Sequence, residues 1–209
     1  MLGFSGVHRT GKSTLTLDIA SKHGLIALET NVRNVFILMG MDSKKKYEWD
    51  ERMRVQQQIL LYLNGLYDLY WNTYGLNRVV CDRTPLDLLM YTYSEVNSNT
   101  LSFLQSEELR LYTEDCISSV NKYFRMIVVI QPGISVNEVE SKASVEKGYM
   151  EHLNLIILGL THRSDINVDI FCLSKKITNR IDRIDFVSTL IEMLTEKNTV
   201  LQYVNDVTM

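Results

Sequence analysis

Met1-Leu2-Gly3-Phe4-Ser5 is a short apolar run that passes directly into Gly6-Val7-His8-Arg9-Thr10-Gly11-Lys12-Ser13-Thr14. The second stretch fits the spacing G-x-x-x-x-G-K-[ST], with strand-like sequence before it and a helical pattern after it. The chemistry of that spacing is specific. Glycines let successive backbone N–H groups turn inward around phosphate oxygens, and the helix beginning near Lys12 adds the positive end of its dipole. A lysine at the position of Lys12 reaches the β- and γ-phosphates, and a hydroxyl at the position of Ser13 ligates Mg²⁺. Residues Gly6, Val7, His8, Arg9, Thr10, Gly11, Lys12, Ser13 and Thr14 therefore predict a nucleoside-triphosphate cradle, with ATP and Mg²⁺ as the expected cofactors.

Working outward, five short apolar runs read as buried strands: Met1–Ser5, Leu25–Glu29, Arg78–Asp82, Arg125–Gln131 and Val168–Leu173. Helical stretches separate them at Lys12–Lys22, Tyr47–Tyr74, Leu86–Tyr93, Ser102–Tyr123, Tyr149–Leu160 and Asp182–Thr195. Strand–helix alternation predicts right-handed crossovers and a three-layer α/β sandwich around a mostly parallel five-stranded sheet. The 209 residues fit a single domain spanning 1–209.

Composition narrows the function classes. Lys and Arg number 22 against 25 Asp and Glu, a net charge of −3, so the chain does not hold nucleic acid by a general excess of positive charge. A local basic groove remains compatible with that balance. The three cysteines, Cys81, Cys116 and Cys172, have no short spacing, which fits neither a disulfide framework nor a zinc site. No signal-peptide pattern and no apolar run of membrane-spanning length stand in the sequence. The expected setting is the cytoplasm, with no membrane partner.

A second constellation stands where the third strand ends. Asp82 and Arg83 lie at the C-terminal edge of the sheet, where open α/β sheets bind ligands. Asp82 is placed to hold Mg²⁺, and Arg83 to bind an acceptor phosphate or the transferring phosphoryl group. Pro85 suits the first turn of the helix that follows. A third pair, Glu29 and Arg33, falls on the same rim. Glu29 and Asp82 are rival general bases, and Arg33 is placed to hold an anionic acceptor. Arg9, inside the loop, is positioned to stabilise charge that develops during transfer. His8 reads equally as an acceptor contact or as a solvated loop residue. Arg83 stands where a hydrolytic ATPase carries a water-activating glutamate, and the chain has no D-x-x-G or N-K-x-D. A kinase is the expectation; a regulatory NTPase and a nucleotide-binding subunit without chemistry are the alternatives.

These residues resemble the P-loop nucleoside and nucleotide kinases, thymidylate kinase-like ones in particular. Gly6 to Thr14 is similar to that family's loop, including the arginine at position 9, and Asp82-Arg83 is similar to its D-R motif. Asp82-Arg83-Thr84-Pro85-Leu86-Asp87, with Glu29 and Arg33, also resembles ribosylnicotinamide-type kinases. Two features depart from the thymidylate kinase pattern: His8 replaces an acid that engages the sugar, and Leu86-Asp87-Leu88-Leu89 replaces a small-residue stretch. With the segment after the fourth strand, the replacement of that acid by His8 makes the chain similar to phage 5-hydroxymethyluracil DNA kinases. That resemblance implies a P-loop NTPase-type fold, a lid-like segment at about 137–160 with Lys142 and Lys147 as its basic side chains, and γ-phosphate transfer to hydroxymethyluracil in DNA. The alternative acceptor is a free deoxynucleoside, nucleoside monophosphate or ribosylnicotinamide-like molecule. A homodimer is compatible with either. Tyr62, Tyr67, Tyr70, Trp71 and Tyr74 crowd one helix and read as core packing or as an acceptor-stacking surface.

Overall fold

The computed structural model describes residues 1–42, 45, 47–96, 101–134 and 146–207, with side chains to residue 194. Its strands are β1 (Leu2–Ser5), β2 (Ile26–Leu28), β3 (Val79–Cys81), β4 (Met126–Ile130) and β5 (Asp169–Leu173). They form one all-parallel sheet in the order β2-β3-β1-β4-β5. The register pairs Leu2 with Val80 on one side and with Met126 on the other, so β1 runs between its two neighbours. Every strand lies within one or two residues of the apolar run that predicts it.

The side chains alternate with the period of two that a pleated strand imposes. Val79, Cys81, Ile127 and Val129 enter one apolar cluster; Val80, Met126, Val128 and Ile130 enter the other. Helices cover both faces, as a parallel sheet requires. They are α1 (Lys12–His23), α2 (Arg33–Leu38), α3 (Trp49–Tyr74), α4 (Pro85–Tyr93), α5 (Phe103–Tyr123), α6 (Lys147–Leu160) and α7 (Arg180–Val207). The first cluster takes Ile59, Leu63 and Tyr67 from α3, Leu86 and Leu89 from α4, Ile117 and Val120 from α5, and Leu153 and Ile157 from α6. The second takes Leu15 and Ile19 from α1 and Val187 and Leu190 from α7. The expected three-layer sandwich results.

Local signals explain the helix boundaries. Pro85 occupies the first turn of α4, behind a capping box in which Thr84 and Asp87 serve each other's backbone N–H groups. Ser102 and Gln105 make the same reciprocal cap on α5. Helix α7 extends beyond the expected Asp182–Thr195, because neither Gly nor Pro interrupts the chain after Arg180. Of the segment expected to be lid-like, residues 137–145 lie outside the described residues. The remainder is α6, whose Met150, Leu153, Ile157 and Leu160 are buried against the body of the fold. Among the described residues no helix is long and apolar enough to cross a membrane.

Candidate active site

The cradle forms between β1 and α1. Gly6 adopts φ +135°, and a Cβ there would lie 2.4 Å from the carbonyl oxygen of Ile130 on β4. Gly11 is the N-cap of α1 with φ +82°. Both positions exclude a side chain, Gly6 through conformation and space together. Arg9 also has positive φ, +61°, which marks the loop as locally strained. Thr10 Oγ1 donates to the Val7 carbonyl at 2.9 Å and closes the loop on itself.

Lys12 is buried and folded back into this loop. Its Nζ donates to the carbonyls of Gly6 (2.5 Å) and Val7 (2.8 Å) and stands 3.8 Å from the Asp87 carboxylate. Burial lowers the Lys12 pKa to about 8; Asp87 opposes the shift, Arg83 adds to it, and Asp82 opposes it more weakly. The ammonium thus rests on the backbone oxygens of Gly6 and Val7.

Asp82 joins three elements. Its Oδ2 accepts from the Ser13 hydroxyl at 2.9 Å, and its Oδ1 accepts from the Thr30 backbone N–H (3.1 Å) and hydroxyl (3.0 Å). The start of α1, the end of β2 and the end of β3 therefore meet on one carboxylate. Ser13 and Asp82 present a hydroxyl and a carboxylate side by side, hard oxygen donors of the kind Mg²⁺ takes when water and phosphates complete its shell. Among the described residues no group of three or more His, Cys, Asp or Glu gathers into an all-protein metal site.

A second carboxylate holds the loop from beneath. Asp87 is fully buried, and it accepts from Gly6 N–H at 2.9 Å through Oδ1 and from Thr84 N–H at 2.9 Å through Oδ2. The Ser5 hydroxyl, itself bonded to Thr84, approaches Oδ2 at 3.3 Å. Helix α4 is thereby tied to the first turn of the phosphate loop. Burial alone would lower the Arg83 pKa, yet Asp87, Tyr91 and Asp82 together carry it above its ordinary value. The Arg83 carbonyl accepts from Tyr67 Oη at 3.0 Å and from the Cys81 thiol at 2.9 Å.

Aromatic side chains flank the loop. The His8 ring stacks on Tyr91, with centroids 6.4 Å apart, and its Nδ1 lies 3.2 Å from Tyr91 Oη. Tyr149, the third residue of α6 and partly exposed, brings its ring to 6.3 Å from His8. Burial pushes the Tyr91 pKa up to about 12, with Arg83 opposing. His8 is therefore half-buried among rings rather than solvated.

The sequence-derived residues converge unevenly. Gly6 to Thr14, Asp82 and Arg83 form one connected group. Glu29 and Arg33 are exposed, Glu29 directly before Thr30 and Arg33 at the start of α2. Lys147 is exposed at the start of α6, and Lys142 lies outside the described residues. Tyr67 is wholly buried against Tyr123 and Phe124, each with ring centroids at 5.2 Å, so this part of the aromatic helix is core that also supports Arg83. Sequence reasoning missed the roles of Thr30, Asp87, Tyr91 and Tyr149. Only Asp87 carried a signal, three residues after Thr84 in a capping-box pattern.

The chain matches no protein-family model and no curated protein. Its likeness to solved structures is clear in fold. It resembles deoxyadenosine kinase from M. mycoides with the products dCMP and a flexible dCDP bound, at TM-score 0.65 and 16% identity, over 92% of this chain and 98% of that one. It also resembles thymidylate kinase from Candida albicans, at TM-score 0.53 and 12% identity, over 95% of this chain and 91% of that one. YorR from Bacillus subtilis, in complex with phosphorylated GDP, aligns at TM-score 0.52 and 11% identity, over 93% and 97%. The fold is that of P-loop nucleoside and nucleotide kinases.

Proposed function

We propose that this chain is an ATP-dependent phosphotransferase that moves the γ-phosphate to a hydroxyl of a nucleoside or nucleotide. The observation that carries the proposal is the 2.9 Å contact between Ser13 and Asp82, which unites the phosphate loop with the strand end that also bears Arg83. A loop for a triphosphate, an acid for its metal ion and an arginine for an acceptor are thus joined at one sheet edge. The fold neighbours add support, because three structures of deoxyadenosine kinase from M. mycoides hold deoxynucleotides: dCTP, dCMP with dCDP, and dATP.

In the proposed reaction Lys12 leaves the Gly6 and Val7 carbonyls for the phosphate oxygens, and the loop amides hold the triphosphate in line. Ser13 and Asp82 would hold Mg²⁺, which would supply charge neutralisation on the phosphates. The acceptor oxygen forms a bond to the γ-phosphorus as the bond to the β–γ bridging oxygen breaks, and ADP departs. Arg9 and Arg83 balance the charge on the equatorial oxygens. Asp82 is assigned to the metal ion and to Thr30, so the hydroxyl proton is given to Glu29, the exposed carboxylate of the same rim.

A base within DNA, 5-hydroxymethyluracil, is the second reading. His8 favours it: it replaces a sugar-binding acid and stands beside Tyr91 and Tyr149, where an extruded base finds rings to stack on. The test is incubation with γ-labelled ATP and separate acceptors. Label on free deoxynucleosides or monophosphates supports the first reading, and label only on hydroxymethyluracil-containing DNA supports the second. Release of free phosphate with every acceptor untouched overturns the kinase proposal.

A further inference from the structure

Helix α7 docks on α1 through pairs that satisfy each other. Arg180 forms a two-pronged ion pair with Asp18 (2.6 and 2.8 Å), Lys22 reaches Asp185 at 2.9 Å, and His23 meets the Ser188 hydroxyl at 2.8 Å. Arg183, one turn after Arg180 on the same helix, breaks this pattern. Its side chain is 5% exposed, yet no carboxylate among the described residues stands within ion-pair distance. One terminal nitrogen donates to the Thr10 carbonyl at 2.7 Å, while the buried Nε–H has no hydrogen-bond partner. The other terminal nitrogen lies 3.1 Å from the place a Cβ on Gly11 would occupy. Burial depresses the Arg183 pKa, the direction expected of a cation without a counter-charge.

A buried guanidinium with no counter-charge is unfavourable, and an anion beside it would remove that penalty. It is not needed to dock the helix, because Arg180, Asp185 and Ser188 already do that. It meets the loop at Thr10 and Gly11. We infer that Arg183 is a donor-binding residue that reaches across from the last helix to the polyphosphate chain of the nucleotide in the loop. This rests on the reading of Gly6 to Thr14 as a triphosphate cradle. Arg183 supplies positive charge to the donor beside Thr10, and Gly11 is side-chain-free in part because Arg183 fills the space beside it.

Binding of ATP and of inorganic tripolyphosphate to the purified chain, measured by calorimetry, tests the inference. Tripolyphosphate isolates the phosphate chain from base and sugar. The expected result is that R183A and R183Q each weaken both ligands by about tenfold or more and that R183K recovers part of the loss, whereas R180A lowers Tm and leaves both affinities unchanged. R183Q can still donate to Thr10 without a charge, so it separates the cation from the loop contact. Tripolyphosphate affinity within twofold of wild type in R183Q, or an equal loss in R180A, overturns the inference. K12A reports on the cradle separately: loss of both ligands in K12A, with R183A and R183Q unaffected, removes Arg183 alone. Failure of the unaltered chain to bind either ligand removes the cradle itself.

Discussion

Replacing Asp87 tests the idea that a buried carboxylate on α4 shapes the phosphate loop. Asp87→Asn is nearly isosteric, so it perturbs polarity rather than volume. The carboxylate accepts two backbone N–H groups at 2.9 Å, from Gly6 and Thr84, and lies 3.8 Å from the Lys12 ammonium. The carboxamide keeps one acceptor and turns an NH₂ donor toward the other N–H. A hydrogen bond to a charged group contributes about 1.5–3 kcal/mol, and an abandoned buried donor costs about 1–3 kcal/mol. Because one of the two bonds survives, the expected loss is about 3 kcal/mol for Asp87→Asn, rising toward about 5 kcal/mol for Asp87→Ala. Urea unfolding followed by circular dichroism at pH 7 measures both. Removal of the negative charge also lowers the Lys12 pKa further below about 8, so the alkaline limb of kcat/KM for ATP moves to lower pH. A loss under about 0.5 kcal/mol in Asp87→Asn, with an unmoved pH profile, refutes the reasoning.

Three further outcomes are expected. In the wild type kcat/KM for ATP falls as pH rises through about 8, because the lowered Lys12 pKa leaves the free enzyme without its cation above that point; Lys12→Arg removes that limb, and a profile flat to pH 9.5 contradicts the assignment. Gly6→Ala combines φ +135° with a Cβ 2.4 Å from the Ile130 carbonyl, which costs about 2–4 kcal/mol and abolishes ATP binding, as thermal unfolding and calorimetry will report. Tyr67→Phe deletes the 3.0 Å hydrogen bond to the Arg83 carbonyl, costs about 1–2 kcal/mol, and raises KM for the acceptor while leaving KM for ATP unchanged in steady-state kinetics.

Much of the fold could be read from the chain because its signals are local. The strands announce themselves as apolar runs, and the phosphate loop is contiguous from Gly6 to Thr14. Asp82 and Arg83 were legible because they follow a strand and so fall on a predictable edge. The strand order was not legible: nothing near β1 says that β3 and β4 will flank it. Asp87 illustrates the same limit within the site. By sequence it is an acid in the first turn of a helix, a common cap; that it also holds the Gly6 amide depends on packing between residues 81 positions apart. Arg183 reads as one more charge on a terminal helix, since exposure and burial alternate there without an apolar run to distinguish it. The aromatic spacing in α3 established a shared face but not its partner, which is why Tyr67 could be placed only once Tyr123 and Phe124 were beside it.

The position of β1 has a consequence for how the protein comes into being. Of the five strands β1 is made first, yet it pairs with β3 and β4, which are made much later, and Gly6 is seated against Ile130 at the end of β4. Contacts so distant in sequence are slow to close, and until they close the nascent chain carries an unpaired apolar strand on both of its edges. The seating of the Gly6 loop against β4 is therefore completed late in synthesis. On the proposed function, chains halted before β4 are expected to lack nucleotide affinity, and ATP present during refolding is expected to pull the last strands into register by stabilising only the finished sheet.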